Sequence, residues 1–328
     1  MTGVARGLIT PTMFTDAVAA GVAAPSLHNT QPWRFRYDAA TDSVEVRADR
    51  HRTLKIADLG GWGMRLACGA AAYNMTLAFA VAGQPVEVAW LPTNTDPDLQ
   101  AVLTPVAARP ATQEQERLHR AIPRRHSNRQ PFRPEPVPLT ARAEILRAAR
   151  EELAWVELVT GVAPVAAVAE ITQMAQQVLD REPGYLDELR SWSRRNGRSP
   201  DGVPVASAAP VTAPQDLFPQ RDYGTARQPR RAGHDYEADP LVAVLGTAGD
   251  LAVDHLRAGY ALQRVLLTVT DLGLASSMLS QPIEVPSARE QLRLALGRFG
   301  TPQMVLRIGY GEPGPHAARR PALDVIDD

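Results

Sequence analysis

Two stretches of this chain, 60–82 and 250–272, read as long, Ala-rich apolar helices. Each stops at a glycine, Gly83 or Gly273, and a strand pattern follows. Helices of that kind must be covered on most of their surface, so they set the middle of the fold. Aligning Gly69 with Gly259 brings Ala71 onto Ala261, Leu77 onto Leu267 and Gly83 onto Gly273. Two accounts are open. Either the chain is two related halves fused into one, or two buried helices of an Ala-rich protein match by chance.

Composition narrows the classes of function. A chain of 328 residues makes about two domains or one large one. It can bury most of its surface without staples. Cys68 is the single cysteine, which rules out an internal disulfide and argues against a thiolate metal cluster. A net charge of -1 argues against a general nucleic-acid binder. There is no apolar run long enough to span a bilayer, and the first residues lack a secretory signal, so a soluble cytoplasmic protein is expected. Lys55 is the only lysine. Any anion site must therefore use planar, permanently charged guanidinium groups.

Helix and strand patterns mix without a strict βαβ rhythm, which predicts an α+β fold of helices on mainly antiparallel sheets. Helices are expected over 12–24, 60–82, 112–122, 140–153, 165–192, 250–272 and 286–296, and strands over 43–47, 85–91, 101–106, 155–159, 241–247 and 303–310. Residues 193–239 are crowded with Gly, Pro, Arg, Asp and Ser and show little periodicity. A stretch of that length is a functional lid or is disordered.

Three motifs carry possible chemistry. The first runs Ala24-Pro25-Ser26-Leu27-His28-Asn29-Thr30-Gln31-Pro32-Trp33 between a helix end and a strand. Its hydroxyls and amides offer several donors and acceptors in one connection, as recognition of a heteroaromatic edge requires. It also reads as a polar capping loop with Trp33 in the core. The second is Arg124-Arg125-His126-Ser127-Asn128-Arg129. In an extended segment Arg125, Ser127 and Arg129 share one face, which suits a phosphate. A solvated basic loop is the competing account. The third is Arg319-Arg320-Pro321, in a tail that would by itself be floppy. The seven histidines include no close pair at ligand spacing, so no metal site is expected. Gly60, Gly61 and Gly63 lack the strand–turn–helix context of a Rossmann site. Cys68, Trp33, Trp62, Trp90 and Trp155 read as core.

Together these motifs resemble the nitroreductase superfamily of FMN-dependent enzymes. Arg125-His126-Ser127-Asn128-Arg129 looks like that family's R-H/R-S-x-R/K signature, which holds the phosphate and ribityl chain. Pro25-Ser26-Leu27-His28-Asn29-Thr30-Gln31-Pro32-Trp33 looks like its P-S-x-x-N-x-Q-P-W signature, which lines the flavin from the other subunit of a homodimer. Arg319-Arg320-Pro321 with Leu323 and Val325 resembles its closing pattern, whose arginine also meets the phosphate. Leu272-Gly273-Leu274 resembles the turn before a flavin-reaching loop, here including Ser280 and Gln281. The order departs from the family. There the arginine signature comes first, whereas here it follows, at residue 125 against 25. With His28 inside the first motif, the pattern is similar to the Acg-like branch of fused nitroreductase-fold proteins.

The resemblance implies an intramolecular pseudo-dimer. Residues 1–110 would form a first half without the arginine motif, and 111–328 a second half carrying the insertion near 193–239. One FMN site would remain at the seam. Pro25, Ser26, Leu27 and Asn29 would meet the ring. Arg125, His126, Ser127, Arg129 and Arg319 or Arg320 would meet the phosphate side, and Ser280 and Gln281 would approach from the second half. The implied reaction is hydride transfer from NADH or NADPH, through the flavin, to a small-molecule acceptor such as a nitroarene or quinone, with no catalytic side chain required. The alternative is storage of FMN beneath the 193–239 segment without turnover. The implied protein is a monomer with no nucleic-acid or membrane partner.

Overall fold

The structure is a computed structural model, and it describes residues 7–194, 199–204, 207, 217–218, 221, 241–312 and 314–327. Most of the expected lid, 193–239, therefore lies outside the described residues. The chain begins with helix α1 (Pro11–Val22), whose N-terminus is capped by the Thr10 hydroxyl on the Met13 N–H, with Pro11 at the first position. Strands β1 (Trp33–Asp38) and β2 (Ser43–Ala48) form a hairpin, followed by helix α2 (Trp62–Val81) and strands β3 (Val86–Trp90) and β4 (Leu99–Pro105). Helix α3 (Gln113–Ala121) starts at a capping box between Thr112 and Gln115. Then come α4 (Leu139–Glu151), β5 (Trp155–Val159), α5 (Val162–Arg181), α6 (Tyr185–Ser191) and the short pair β6 (Ser193–Arg194) and β7 (Val203–Pro204). The remaining elements are β8 (Leu241–Thr247), α7 (Ala252–Asp271), β9 (Ala275–Leu279), α8 (Gln281–Glu284), α9 (Pro286–Ala295), β10 (Thr301–Gly309) and β11 (Ile326–Asp327).

The two main sheets repeat one topology. The first has the order β11-β1-β2-β4-β3 and the second β5-β8-β10-β9. Apart from β11, every pair in both sheets is antiparallel. Strand β1 thus corresponds to β5, β2 to β8, β4 to β10 and β3 to β9. Helices α2 and α7 each have 20 residues, and each ends before a left-handed glycine, Gly83 at φ 82° and Gly273 at φ 73°. Even the irregularities match. On β4 the register slips at Gln100, and on β10 at Gln303, each a buried glutamine facing a bulge.

Helices α2 and α7 cross at their glycines. A methyl group added at Gly69 would strike the Leu256 carbonyl oxygen, and one at Gly259 would strike that of Leu66. The contact is reciprocal, since Leu66 and Leu256 each precede their glycine by one turn. Such reciprocity is the mark of a two-fold relation. The helices also exchange side chains: Trp62 and Leu66 of α2 join the core under the second sheet, whereas Leu256 and Leu267 of α7 join the core under the first. The tail crosses back as well, because β11 pairs in parallel with β1 through Phe35 and Ile326.

Most helices and strands fall where periodicity predicts them. Two tryptophans do not. Trp90 and Trp155 lie half-buried, because β3 and β5 are the edge strands of their sheets. Trp33 is fully buried and Cys68 is enclosed on α2, where burial pushes its thiol up to about 12. Among the described residues, no helix is long and apolar enough to cross a membrane.

The crossing yields a stability test. Gly259→Ala should cost roughly 1–3 kcal/mol or more, because backbone rather than a flexible side chain must give way. Gly60→Ala, where an added Cβ meets nothing within 4 Å, should stay within about 0.5 kcal/mol of the parent. Denaturant midpoints of the two variants decide it, and equal midpoints would remove the tight crossing from the account.

Candidate functional site

After α1 the chain makes an unusually tight loop. His28, Asn29 and Gln31 have φ of 51°, 57° and 52°, left-handed values that side chains other than glycine adopt only under constraint. The constraint comes from inside and outside the loop. Ser26 Oγ accepts from the Gln31 N–H at 2.9 Å. Asn29 Nδ2 donates to the carbonyls of Pro200, Gly202 and Ala318, each at 3.1 Å. Gln31 Nε2 donates to Pro200 O at 2.7 Å, while Gln31 Oε1 accepts from the Arg320 N–H at 2.8 Å. The amides thus fasten the loop to the 200–202 segment and to the tail. Of the Asn29 and Gln31 side-chain amides, Asn29 Oδ1 is buried without a partner among the described residues, whereas Asn29 Nδ2 is already engaged by the three carbonyls.

The basic loop is held by its neighbour. The Asn128 N–H donates to Ser276 O at 2.8 Å, and Asn128 Nδ2 to Glu312 O at 2.8 Å. Ser127 forms an isolated bridge with Ser276 beside β9. The path that results sends Arg125, Ser127 and Arg129 to one cleft, and the intervening His126, which strict alternation would turn away, lines it too. Pro25, Ser26 and Asn29 line the same cleft from the other side, and His316 and Arg319 close it from the tail. Motifs a hundred positions apart in the chain therefore meet in one space of about 540 Å³.

The electrostatics of this cleft are one-sided. Arg125 is buried; among the described residues its guanidinium makes one hydrogen bond, 3.4 Å to the Ala23 carbonyl, and its Nε has no partner. Burial, reinforced by the Arg319 charge, pushes Arg125 down to about 9. Burial likewise pushes Arg319 down to about 10, and its Nε is also unpartnered. Both remain cationic at neutral pH. Among the described residues no carboxylate lines the cleft. Enclosed positive charge without a counter-charge is costly, and an anion in the cleft would offset that cost.

A second cleft, also about 540 Å³, continues from the first and shares Pro25, Ser26, Arg129 and Met278 with it. Its walls are apolar: Leu27, Trp62, Leu66, Ala70, Leu262 and Met304. His28 and Ser280 stand at its polar edge. Burial, then the charges of Arg221 and Arg129, hold the His28 imidazole well below its ordinary value. It is therefore neutral, and its Nε2 accepts from Arg221 at 3.0 Å. Arg221 in turn pairs with the enclosed Glu284 carboxylate at 2.8 Å.

Of the twelve residues singled out from sequence, ten line these two clefts. Gln281 is buried in α8 and lines neither. Arg320 turns away, donating to Asp324 O and lying 3.8 Å from Asp49, so Arg319 is the tail arginine at the cleft. Apart from Leu27, sequence reading did not assign the apolar wall to a site. Trp62, Leu66 and Ala70 are spaced by four on α2, a signal that reads equally well as core. Arg221, Glu284 and His316 carried no signal in the sequence.

The chain is similar to known proteins along most of its length. The Nitroreductase family description matches residues 122–310. A Mycobacterium tuberculosis protein carrying the name of an NAD(P)H nitroreductase, Rv3131, is 34% identical, with the match covering 96% of this chain and 93% of that protein. A second M. tuberculosis protein with such a name, acg, is 28% identical over 97% and 96% of the two chains. Among solved structures, one described as a nitroreductase from Anabaena variabilis superposes with a TM-score of 0.54 at 10% identity. It covers 92% of this chain and 88% of its own, a likeness of fold.

The unpaired cations give a test. Arg125→Met should raise the stability of the chain without added anion by about 1 kcal/mol or more, since a buried uncompensated charge is removed. The same variant should lose the stabilisation that sulfate gives the parent. A thermal melt with and without sulfate reads both, and a less stable variant with its sulfate response intact would exclude Arg125 from an anion site.

Proposed function

The chain belongs to the nitroreductase family, and on that footing we propose that it binds one FMN at the seam of its two halves and serves as an NAD(P)H-dependent oxidoreductase of nitroaromatic, quinone or similar acceptors. The observation that carries the reading is the joined pair of clefts. Two guanidinium groups with no counter-charge among the described residues open onto an apolar slot. A phosphate at one end and a planar hydrophobic ring at the other match that pairing in charge and polarity. Bound FMN would supply the hydride chemistry.

The residues have separate tasks. Arg125 and Arg319 would neutralise the phosphate, and the Ser127 hydroxyl would donate to it. Arg129, shared by both clefts and donating to Ser207 O at 3.1 Å, stands where the ribityl chain would pass. Leu27, Leu66 and Met278 would pack on the ring and exclude water. Neutral His28, its Nε2 engaged by Arg221, would offer the ring no charge of its own.

A single site per chain follows from the repeat. On the alignment of Gly69 with Gly259, Ala70 of the apolar wall corresponds to Tyr260. There Tyr260 packs edge-on against Tyr73 at 4.8 Å and Trp90 at 5.5 Å, so aromatic rings fill the space that the site leaves open. We read residues 1–110 and 111–328 as the two halves of a fused pseudo-dimer, with the tail returned to the first half. The chain should then be monomeric.

One observation favours a second reading, FMN storage without turnover. Described residues of the 193–239 segment are fastened over both clefts: Pro200 and Gly202 to Asn29, Ser207 to Arg129, and Arg221 to Glu284. The purified chain should be yellow, with one FMN per chain. Arg125→Ala should weaken FMN binding roughly ten- to a hundredfold, the value of a charge-assisted contact. Colour loss under anaerobic NADPH within seconds supports turnover, and persistence of the colour supports storage. A colourless chain that takes up no added FMN would overturn both.

A further inference from the structure

Between the guanidinium groups of Arg125, Arg129 and Arg319, the basic cleft is lined by two imidazoles, those of His126 and His316. His126 Nδ1 lies 3.0 Å from the Arg124 carbonyl oxygen. A carbonyl only accepts, so Nδ1 carries the hydrogen, and Nε2 is the nitrogen at which the ring holds either a lone pair or a second hydrogen. That Nε2 is buried and has no hydrogen-bond partner. The ring lies 4.4 Å from that of His316, tilted by 46°, and both rings line the cleft. A bare lone pair set against phosphate oxygens is repulsive, whereas the same nitrogen with a proton donates to them.

From this geometry we infer that His126 and His316 form a proton-accepting wall of the cleft, so that a dianionic phosphomonoester is bound together with a proton. The inference rests on the anion reading of the cleft above and names the charge state it selects. Among the described residues, the groups lining the cleft beside the pair are cationic or neutral. Arg124 and Arg125 flank His126 on its own loop, and Arg124 is engaged 3.7 Å away by Asp271 of α7. Arg319 faces it from the tail, Arg129 from the far end of the loop, and Ser207 from the covering segment. Without an anion, burial and then the fields of His126, Arg125 and Arg319 hold His316 below its ordinary value. A bound dianion reverses the sign of that field and raises the proton affinity of the pair.

The direction of the pH effect follows. Groups whose proton affinity rises on binding make binding stronger at low pH, and the gain is lost as pH rises through their bound-state value. Affinity for FMN should therefore fall by about three- to tenfold between pH 6.5 and 8. Below about pH 6 the phosphate takes up its own proton and the gain reverses.

Two measurements on the full chain test this. Calorimetric titration of FMN at pH 7.5, in two phosphate-free buffers of different ionisation enthalpy, should show uptake of a substantial part of one proton. Riboflavin should show none. His126→Gln combined with His316→Gln keeps a donor at each ring's outer nitrogen but removes the titration, so uptake should vanish and the pH dependence flatten. Binding without uptake by the parent, uptake retained in the double variant, or equal uptake with riboflavin would each overturn the inference. Sulfate, which has no proton of its own in this range, separates it from the flavin reading. Its stabilisation of the parent should be larger at pH 6.5 than at pH 8, and equal in the double variant. That result without FMN binding would refute the flavin and retain the wall; a pH-independent sulfate effect in the parent would refute the wall.

Discussion

The close crossing of α2 and α7 governs the rest of the architecture. Two helices without side chains at Gly69 and Gly259 approach until backbone touches backbone. That approach places the first sheet and the second on opposite flanks of one helical pair. It also commits Trp62 and Leu66 to the far core and Leu256 to the near one. The clefts lie where these flanks meet, with one wall drawn from each side. Widening the crossing would separate Leu66 and Ala70 from Leu262 and Met278, and the apolar slot would lose its shape before any polar residue was disturbed.

The polar end obeys a different rule. Arg125 and Arg319 are held in place by covalent position and packing, with no carboxylate among the described residues of the cleft to offset their burial. Such a site stores unfavourable electrostatic energy in the free protein and releases it when an anion enters. Stability and binding are therefore opposed at Arg125. The left-handed run at His28, Asn29 and Gln31 is a second reservoir of the same kind, restrained by amides that reach the 200–202 segment and the tail.

How much of this was legible in the sequence depends on the distance over which each signal acts. Helix lengths and their glycine stops are local properties, and α2 and α7 appear close to where periodicity places them. Alternation in an extended loop is also local, and it brings Arg125, Ser127 and Arg129 to one cleft. The repeat seen in a few identities gains far more weight from the equal strand orders and from bulges at Gln100 and Gln303, which no pattern of apolar residues reveals. Trp90 and Trp155 were misjudged because edge position is a matter of sheet order, invisible in a strand's own sequence. Arg319 could not be told from Arg320 because neighbouring tail residues diverge only once β11 has docked. Arg221 and Glu284 escaped for a related reason: their pairing spans segments whose contact depends on the finished fold.

The return of the tail has a consequence for how the molecule is made. Strand β11 completes the edge of the first sheet, and Arg319, just before it, completes the basic cleft. During synthesis the N-terminal half emerges first and can pack its own hairpin early. Its sheet nevertheless waits for an outer strand encoded some two hundred positions beyond β4, and its partner cations arrive in two instalments. Closure of the basic cleft is thus postponed until the segment around Arg319 has been made, and a chain cut before β11 would expose the unpaired outer edge of β1.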